Sequence, residues 1–245
     1  MTVISDNKPQ KQLSSERPPV VLFGGTFDPI HFGHLRAALE IRERLDIEEL
    51  RLLPCHIPGH RNQPDSDAQH RSNMIRLAIE CDSQNGETGL VVDMCECESH
   101  QPSYTVNTLL RLREEAGPTR PLVVTLGMDS FNSLPQWHRW EELLTLGHLL
   151  VLQRPGSKTS QNEAIQLLLQ QHLLTDLHAL KHSAHGGIWI EEITPLSISA
   201  TKIRQQISRG HSARYLLPDI AWSYIKEHRL YGYETKLQPI NPRNI

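Results

Sequence analysis

The 245-residue chain has only four cysteines, Cys55, Cys81, Cys95 and Cys97, and their irregular spacing argues against a disulfide framework. It has no apolar run approaching the roughly 20 residues that a membrane span requires, which excludes a transmembrane helix. The opening MTVISDNKPQKQLSSERPP lacks the apolar stretch of a secretory signal. These absences lead us to expect a cytoplasmic protein with no membrane partner. Net charge is also small, since 25 Lys and Arg stand against 28 Asp and Glu to give -3. Without a global basic field, sequence-independent nucleic-acid binding is not expected, and any polyphosphate site must be local. Cys95, Cys97 and His100 could form one corner of a metal site, but structural zinc needs four ligands and the second pair is missing, so no protein-held metal is expected.

What is present is the balance of a chain that folds alone, with 38% apolar and 22% charged residues. Residues 1–18 are polar, contain proline and show no periodicity, which predicts a flexible tail. A single domain is expected over 19–233, with a polar C-terminal tail over 234–245. Short apolar runs alternate with longer amphipathic stretches, the pattern of an α/β, Rossmann-like, doubly wound and mainly parallel sheet flanked by helices. Strands are expected at 20–23, 50–54, 90–94, 122–126, 148–152 and 188–191. Apolar residues at three- and four-residue spacing predict helices at 33–45, 67–82, 104–116 and 137–146. A further helix is expected within 155–186, followed by a surface loop, and two more at 200–208 and 218–228. Ser103 is a candidate N-cap, and Gly117-Pro118 a stop.

The first chemical signal is GGTFDPIHFGH at 24–34. Gly24 and Gly25, followed by Thr26 and Phe27, stand where the first strand ends and the chain turns towards a helix. In open α/β sheets ligands bind at such ends. Glycine lets backbone N–H groups approach phosphate, and the next helix N-terminus adds a field favourable to anions. A glycine pair alone is weak evidence. His31 and His34 sharpen it, because residues three apart share a helix face. Gly33 between them is expected to leave room for a ligand. Two imidazoles aimed at a polyphosphate can stabilise charge that develops on its oxygens. A lone histidine there would more often be a cap or a solvated side chain, and a zinc reading lacks the Glu and third ligand of an HExxH site.

The second signal is Ile198-Ser199-Ala200-Thr201-Lys202-Ile203-Arg204. Ser199 and Thr201 at a helix start can cap free N–H groups or bond a phosphate, and Arg204 lies about one turn further in. An ordinary capped surface helix would look the same.

Together the two segments resemble the nucleotidyltransferase superfamily, with its HxGH turn and ISSTxxR-like helix closing over ATP. Ala200 stands where that pattern often has Ser, which removes one hydroxyl and leaves two. More closely, the chain resembles the bacterial nicotinate-nucleotide adenylyltransferases from Val20 to Tyr231. LPCHIPGHR at 53–61, PSYTVNTL at 102–109, LGMDSFNSLPQWHRW at 126–140 and LQRPG at 152–156 carry that likeness.

The resemblance implies ATP contacts at Gly24, Gly25, Thr26, Phe27, His31, His34, Asp129, Ile198, Ser199, Thr201 and Arg204. It implies nicotinate-mononucleotide contacts at His60, Arg61, Tyr104, Thr105, Trp137 and Arg154. His60 and Arg61 can reach phosphate, although Gly59 replaces a second proline in their loop. Tyr104 and Thr105 open a helix whose free N–H groups can receive a carboxylate. Trp137 can stack on a pyridine ring or fill the core. Asp129 can hold a ribose hydroxyl or a metal-bound water, and Arg154 can face the acceptor phosphate or the adenosine.

The implied reaction is attack of the mononucleotide phosphate on the α-phosphorus of Mg²⁺-bound ATP, with His31, His34 and Arg204 catalytic. Other acceptors, a class I aminoacyl-tRNA synthetase and a non-catalytic nucleotide-binding module are the alternatives. The synthetase reading lacks a KMSKS-like loop and a tRNA-binding appendage. Oligomeric state is not readable, and a homo-oligomer stays open.

Overall fold

Runs of Val, Leu and Ile with no polar alternation form strands covered on both faces, as parallel sheets require. In the computed structural model, which describes residues 17–56, 63–83, 88–98, 102–154 and 156–234, the strands are β1 (Val20–Gly25), β2 (Leu50–Pro54), β3 (Leu90–Val92), β4 (Leu122–Gly127), β5 (His148–Gln153) and β6 (Ile188–Glu192). They pair in the order β3-β2-β1-β4-β5-β6, and every neighbouring pair is parallel. This is the expected doubly wound α/β sheet. Phe23 pairs with Thr125, so β1 and β4 end at the same level. The chain leaves those two ends towards opposite faces, which opens a crevice between them.

Helices α1 (Phe32–Arg44), α2 (Ala68–Ser83) and α3 (Thr105–Ala116) follow the first three strands. Short α4 (Met128–Asn132) and α5 (Leu143–Leu146) follow β4, α6 (Glu163–His172) follows β5, and α7 (Ala200–Ser208) and α8 (Asp219–Glu227) come last. Ile41, Met74, Ile203 and Ile225 bury α1, α2, α7 and α8 on one face of the sheet. Leu109, Phe131, Leu143 and Ile165 bury α3, α4, α5 and α6 on the other. Each such side chain contributes about 1.5–3 kcal/mol by leaving water, so the two helical layers hold the crevice from both sides.

Three local expectations are corrected. The helix expected over 137–146 shrinks to a 3₁₀ turn at Trp140–Glu142 and the short α5, because Arg139 adopts a left-handed conformation at φ 52° that an α-helix cannot accommodate. Strand β3 ends at Val92, since the Asp93 carboxylate accepts from the Cys95 N–H at 3.1 Å and turns the chain. Ser103 does not cap α3. Tyr104 occupies that position, and the Ser103 hydroxyl accepts instead from the His56 N–H at 2.8 Å. Gly117 does end α3, at φ 83°. Of the expected tails, 1–16 and 235–245 lie outside the described residues. Among the described residues no helix is long and apolar enough to cross a membrane.

Candidate active site

The crevice opens into a cleft of about 780 Å³ whose lining includes Gly24, His34, Asp129, Arg154, Thr201 and Arg204. The three glycines of the first motif serve different ends. A Cβ on Gly24 would meet nothing within 4 Å, so this position faces free space. A Cβ on Gly25 would come within 2.9 Å of the Phe27 ring, and that ring is folded back by a positive φ of 49°. At Gly33 a Cβ would lie 3.1 Å from the His31 ring and 3.6 Å from Ile198. Gly33 does border the cleft, as expected of a position that leaves room for a ligand, and its bareness also seats His31 and the segment before α7.

His31 sits at the N-cap of α1 with extended backbone and is 2% exposed. Its ring lies flat on His34, with centroids 3.7 Å apart and planes inclined by 17°. Phe27 meets the His34 ring edge-on at 5.0 Å. Burial first and the nearby Arg154 guanidinium second lower the pKa of His31 from 6.5 to about 4. Burial, His31 and Arg154 lower that of His34 as well. Both rings are thus neutral near pH 7. Neither Nδ1 has a hydrogen-bond partner among the described residues, an expensive condition for buried polar atoms.

Arg204 projects from α7 to the rim of the same cleft. Its Nε is paired with Asp65, and its Nη1 donates to the Asp28 carbonyl at 2.7 Å and lies 3.8 Å from the Asp28 carboxylate. Asp28 is 3% exposed. Its carboxylate also accepts from the Tyr231 hydroxyl at 2.7 Å and from the Asp65 N–H at 2.8 Å. One carboxylate therefore joins the turn after β1 to the approach to α2, to α7 and to the 3₁₀ turn that follows α8. Ser199 occupies the N-cap of α7 but makes no side-chain cap bond.

A smaller pocket of about 110 Å³ adjoins the cleft through Gly24, Gly25, Thr26 and Gly127. Thr105, the first residue of α3, and Trp137 line it together with Ser103, Thr108, Glu96 and Cys55. Burial raises the pKa of Glu96, and the hydroxyls of Thr108 and Ser103 pull it back in part. Tyr104 does not line the pocket and instead packs over His138, with centroids 4.4 Å apart.

The sheet thus gathers His34, Asp129, Arg154, Thr201 and Arg204 around the cleft, with His31 buried and stacked on His34, and Thr105 and Trp137 around the pocket. Arg154 stands with the histidines, away from Trp137. His60 and Arg61 lie outside the described residues, as does His100 of the imagined metal corner. Among the described residues no three His, Cys, Asp or Glu side chains are grouped to hold a metal. Sequence reasoning missed Asp28, Asp65, Tyr231 and Glu96, and it also missed Arg71. That arginine is fully buried and donates to the carbonyls of Thr26, His56 and Ser66 at 2.7, 3.2 and 3.1 Å. It ties the loop after β1 to the loop after β2.

Comparison with known proteins is consistent with this geometry. A cytidylyltransferase-like family profile matches residues 22–206. The chain is 44% identical over 218 residues to the probable nicotinate-nucleotide adenylyltransferase of Hahella chejuensis, covering 89% of this chain and 97% of that one. Its identity to the probable nicotinate-nucleotide adenylyltransferase of Cellvibrio japonicus is 45% over 215 residues, covering 88% and 99%. The fold is similar to that of Plasmodium falciparum nicotinic acid mononucleotide adenylyltransferase complexed with NaAD, with a TM-score of 0.67 at 20% identity over 89% of this chain and 99% of the other.

Proposed function

Because this chain belongs to the cytidylyltransferase-like family and to the nicotinate-nucleotide adenylyltransferases, we infer that the cleft receives ATP and the adjoining pocket the ring of the acceptor. The enzyme joins nicotinate mononucleotide to the adenylyl part of ATP, forming deamido-NAD and pyrophosphate in NAD biosynthesis. We assign this work to a single domain over 19–233 in the cytoplasm.

The observation that carries the site assignment is the meeting of two unlike cavities at Gly24, Gly25 and Gly127. One is rimmed by His34, Arg154 and Arg204 and suits a triphosphate. The other is small, carries the tryptophan, and has the start of α3 at its wall. In our reading the mononucleotide phosphate oxygen attacks the α-phosphorus in line and pyrophosphate leaves from the opposite side. The acceptor phosphate is already anionic near neutral pH, so no strong base is needed. Positioning and neutralisation of charge supply the rate. His34, which lines the cleft, and His31 stacked on it donate to oxygens of the transferring group. Thr201 and Arg204 hold the phosphates from the α7 side. Arg154 joins them there, since it faces the histidines.

Mg²⁺ enters with ATP as part of the substrate, shared between phosphate oxygens and water. The exposed Asp129 carboxylate is the cleft group suited to orient such a water or a ribose hydroxyl. Thr105 and the free N–H groups at the start of α3 receive the ring carboxylate, with Trp137 against the ring face.

Pyrophosphate release measured with ATP and each mononucleotide in turn tests this assignment. We expect turnover with the acid and little with the amide. Preference for the amide, or release with neither, would overturn it. Trp137→Ala should raise KM for the acceptor and leave KM for ATP nearly unchanged.

A further inference from the structure

We propose that Glu96 is a specificity-determining residue of the acceptor pocket, and that its charge sets how strongly an acidic ring is preferred over the neutral amide. The inference rests on the reading that this pocket takes the pyridine ring. Glu96 lines the pocket with Thr105 and Trp137. It is fastened to the first turn of α3, because the Thr108 hydroxyl donates to its carboxylate at 2.6 Å and the Ser103 hydroxyl bonds it too. The wall offered to a ring carboxylate therefore carries two opposed influences. Free N–H groups at the start of α3 attract an anion. An ionised Glu96 beside them repels one.

Burial, and then the Asp93 carboxylate, hold Glu96 in its neutral form to higher pH than an ordinary glutamate, against the two hydroxyls and Arg111. The other titratable groups interacting with it change little in charge over the same range. Cys95 and Cys97 on its own loop, and Cys55 after β2, have thiol pKa values raised by burial. Arg111 stays cationic, its own pKa being raised as well. A neutral Glu96 admits the acid ring without like-charge repulsion. As pH rises and Glu96 ionises, that tolerance is lost. The ring carboxylate stays ionised throughout, and both mononucleotides carry the same phosphate. The ratio of their kcat/KM values therefore reports Glu96 alone.

The test is that ratio measured from about pH 5 to about pH 9 in the wild type, Glu96→Gln and Thr108→Val. In the wild type we expect acid-over-amide preference to fall by about tenfold as Glu96 ionises, the factor of one unit of coupling. Glu96→Gln keeps an acceptor oxygen for Thr108 but has no charge to gain, so its preference should stay high and flat. Thr108→Val removes a hydroxyl that favours the carboxylate form, so the fall should move to higher pH. A flat wild-type ratio, or a Glu96→Gln ratio that falls as the wild type does, would overturn the proposal. Should Glu96→Gln not fold, an unshifted fall in Thr108→Val does the same. Failure of the acceptor reading looks different, because the wild type would then use neither mononucleotide or would prefer the amide at every pH.

Discussion

The imidazole of His31 stacks on that of His34 with ring centroids 3.7 Å apart, in a setting that keeps both uncharged. Burial is the first cause of both lowered pKa values, and each ring also feels Arg154. The sign for stability follows. In the folded protein His31 binds its proton only near pH 4, whereas in the unfolded chain it does so near 6.5. Unfolding therefore takes up protons between those values, and stability present above about pH 6.5 is lost as pH falls. Each such histidine can cost up to about 1.4 kcal/mol per pH unit. Denaturant midpoints should thus fall from about pH 7 to about pH 5, and His31→Asn should flatten the slope. An equal slope in that variant would show that His31 is not a source of the pH dependence.

The same stack is assigned to the transferring phosphoryl group. His34→Ala should lower kcat by roughly 10²–10³, the usual loss when one charge-stabilising donor is removed, with a smaller change in KM for ATP. Full turnover in a folded His34→Ala protein would remove His34 from the mechanism.

The sheet and its windings were legible because apolar runs and helical spacing are local signals. The site was legible where one short string holds the chemistry, as in GGTFDPIHFGH. What escaped depends on contacts between distant segments. Asp28 lies inside that string, yet its bonds to Tyr231 and Asp65 and to Arg204 join four places along the chain, and no spacing rule reports them. A second duty of Gly33 escaped for the same reason, since besides bordering the cleft it admits the side chains of His31 and Ile198. Arg71 did leave a trace. It falls on the apolar stripe of α2 with Met74, Ile75 and Ala78, all buried, where a charged residue is out of place unless something inside needs it.

What needs Arg71 is a set of three carbonyls. Arg71→Met would leave those of Thr26, His56 and Ser66 without the guanidinium that serves them, which should cost about 2–4 kcal/mol of stability. Arg71→Lys should recover only part of this, because an ammonium lacks the planar fork. Thr26 borders both cavities, so KM for ATP and for the acceptor should rise together in variants assayed below their melting temperature. A lowered Tm with both KM values unchanged would limit Arg71 to a structural part.

In the proposed mechanism Arg204 exchanges its present partners for phosphate, and those partners differ in what they oppose. The Asp65 side chain is 59% exposed and that of Arg204 24%, so their pair is worth at most about 1 kcal/mol. Asp65→Asn should release the guanidinium and lower KM for ATP by up to about fivefold, with little change in Tm. Tyr231 acts at the other end of the network. Burial and the Asp28 carboxylate raise its pKa, so its hydroxyl remains a donor, and Tyr231→Phe removes one bond from a carboxylate that is 3% exposed. That loss should cost about 1–3 kcal/mol and leave KM for ATP within about twofold. The two variants therefore separate competition from support. If Asp65→Asn raised KM for ATP instead, Asp65 would be holding Arg204 in its working position rather than withholding it from the nucleotide.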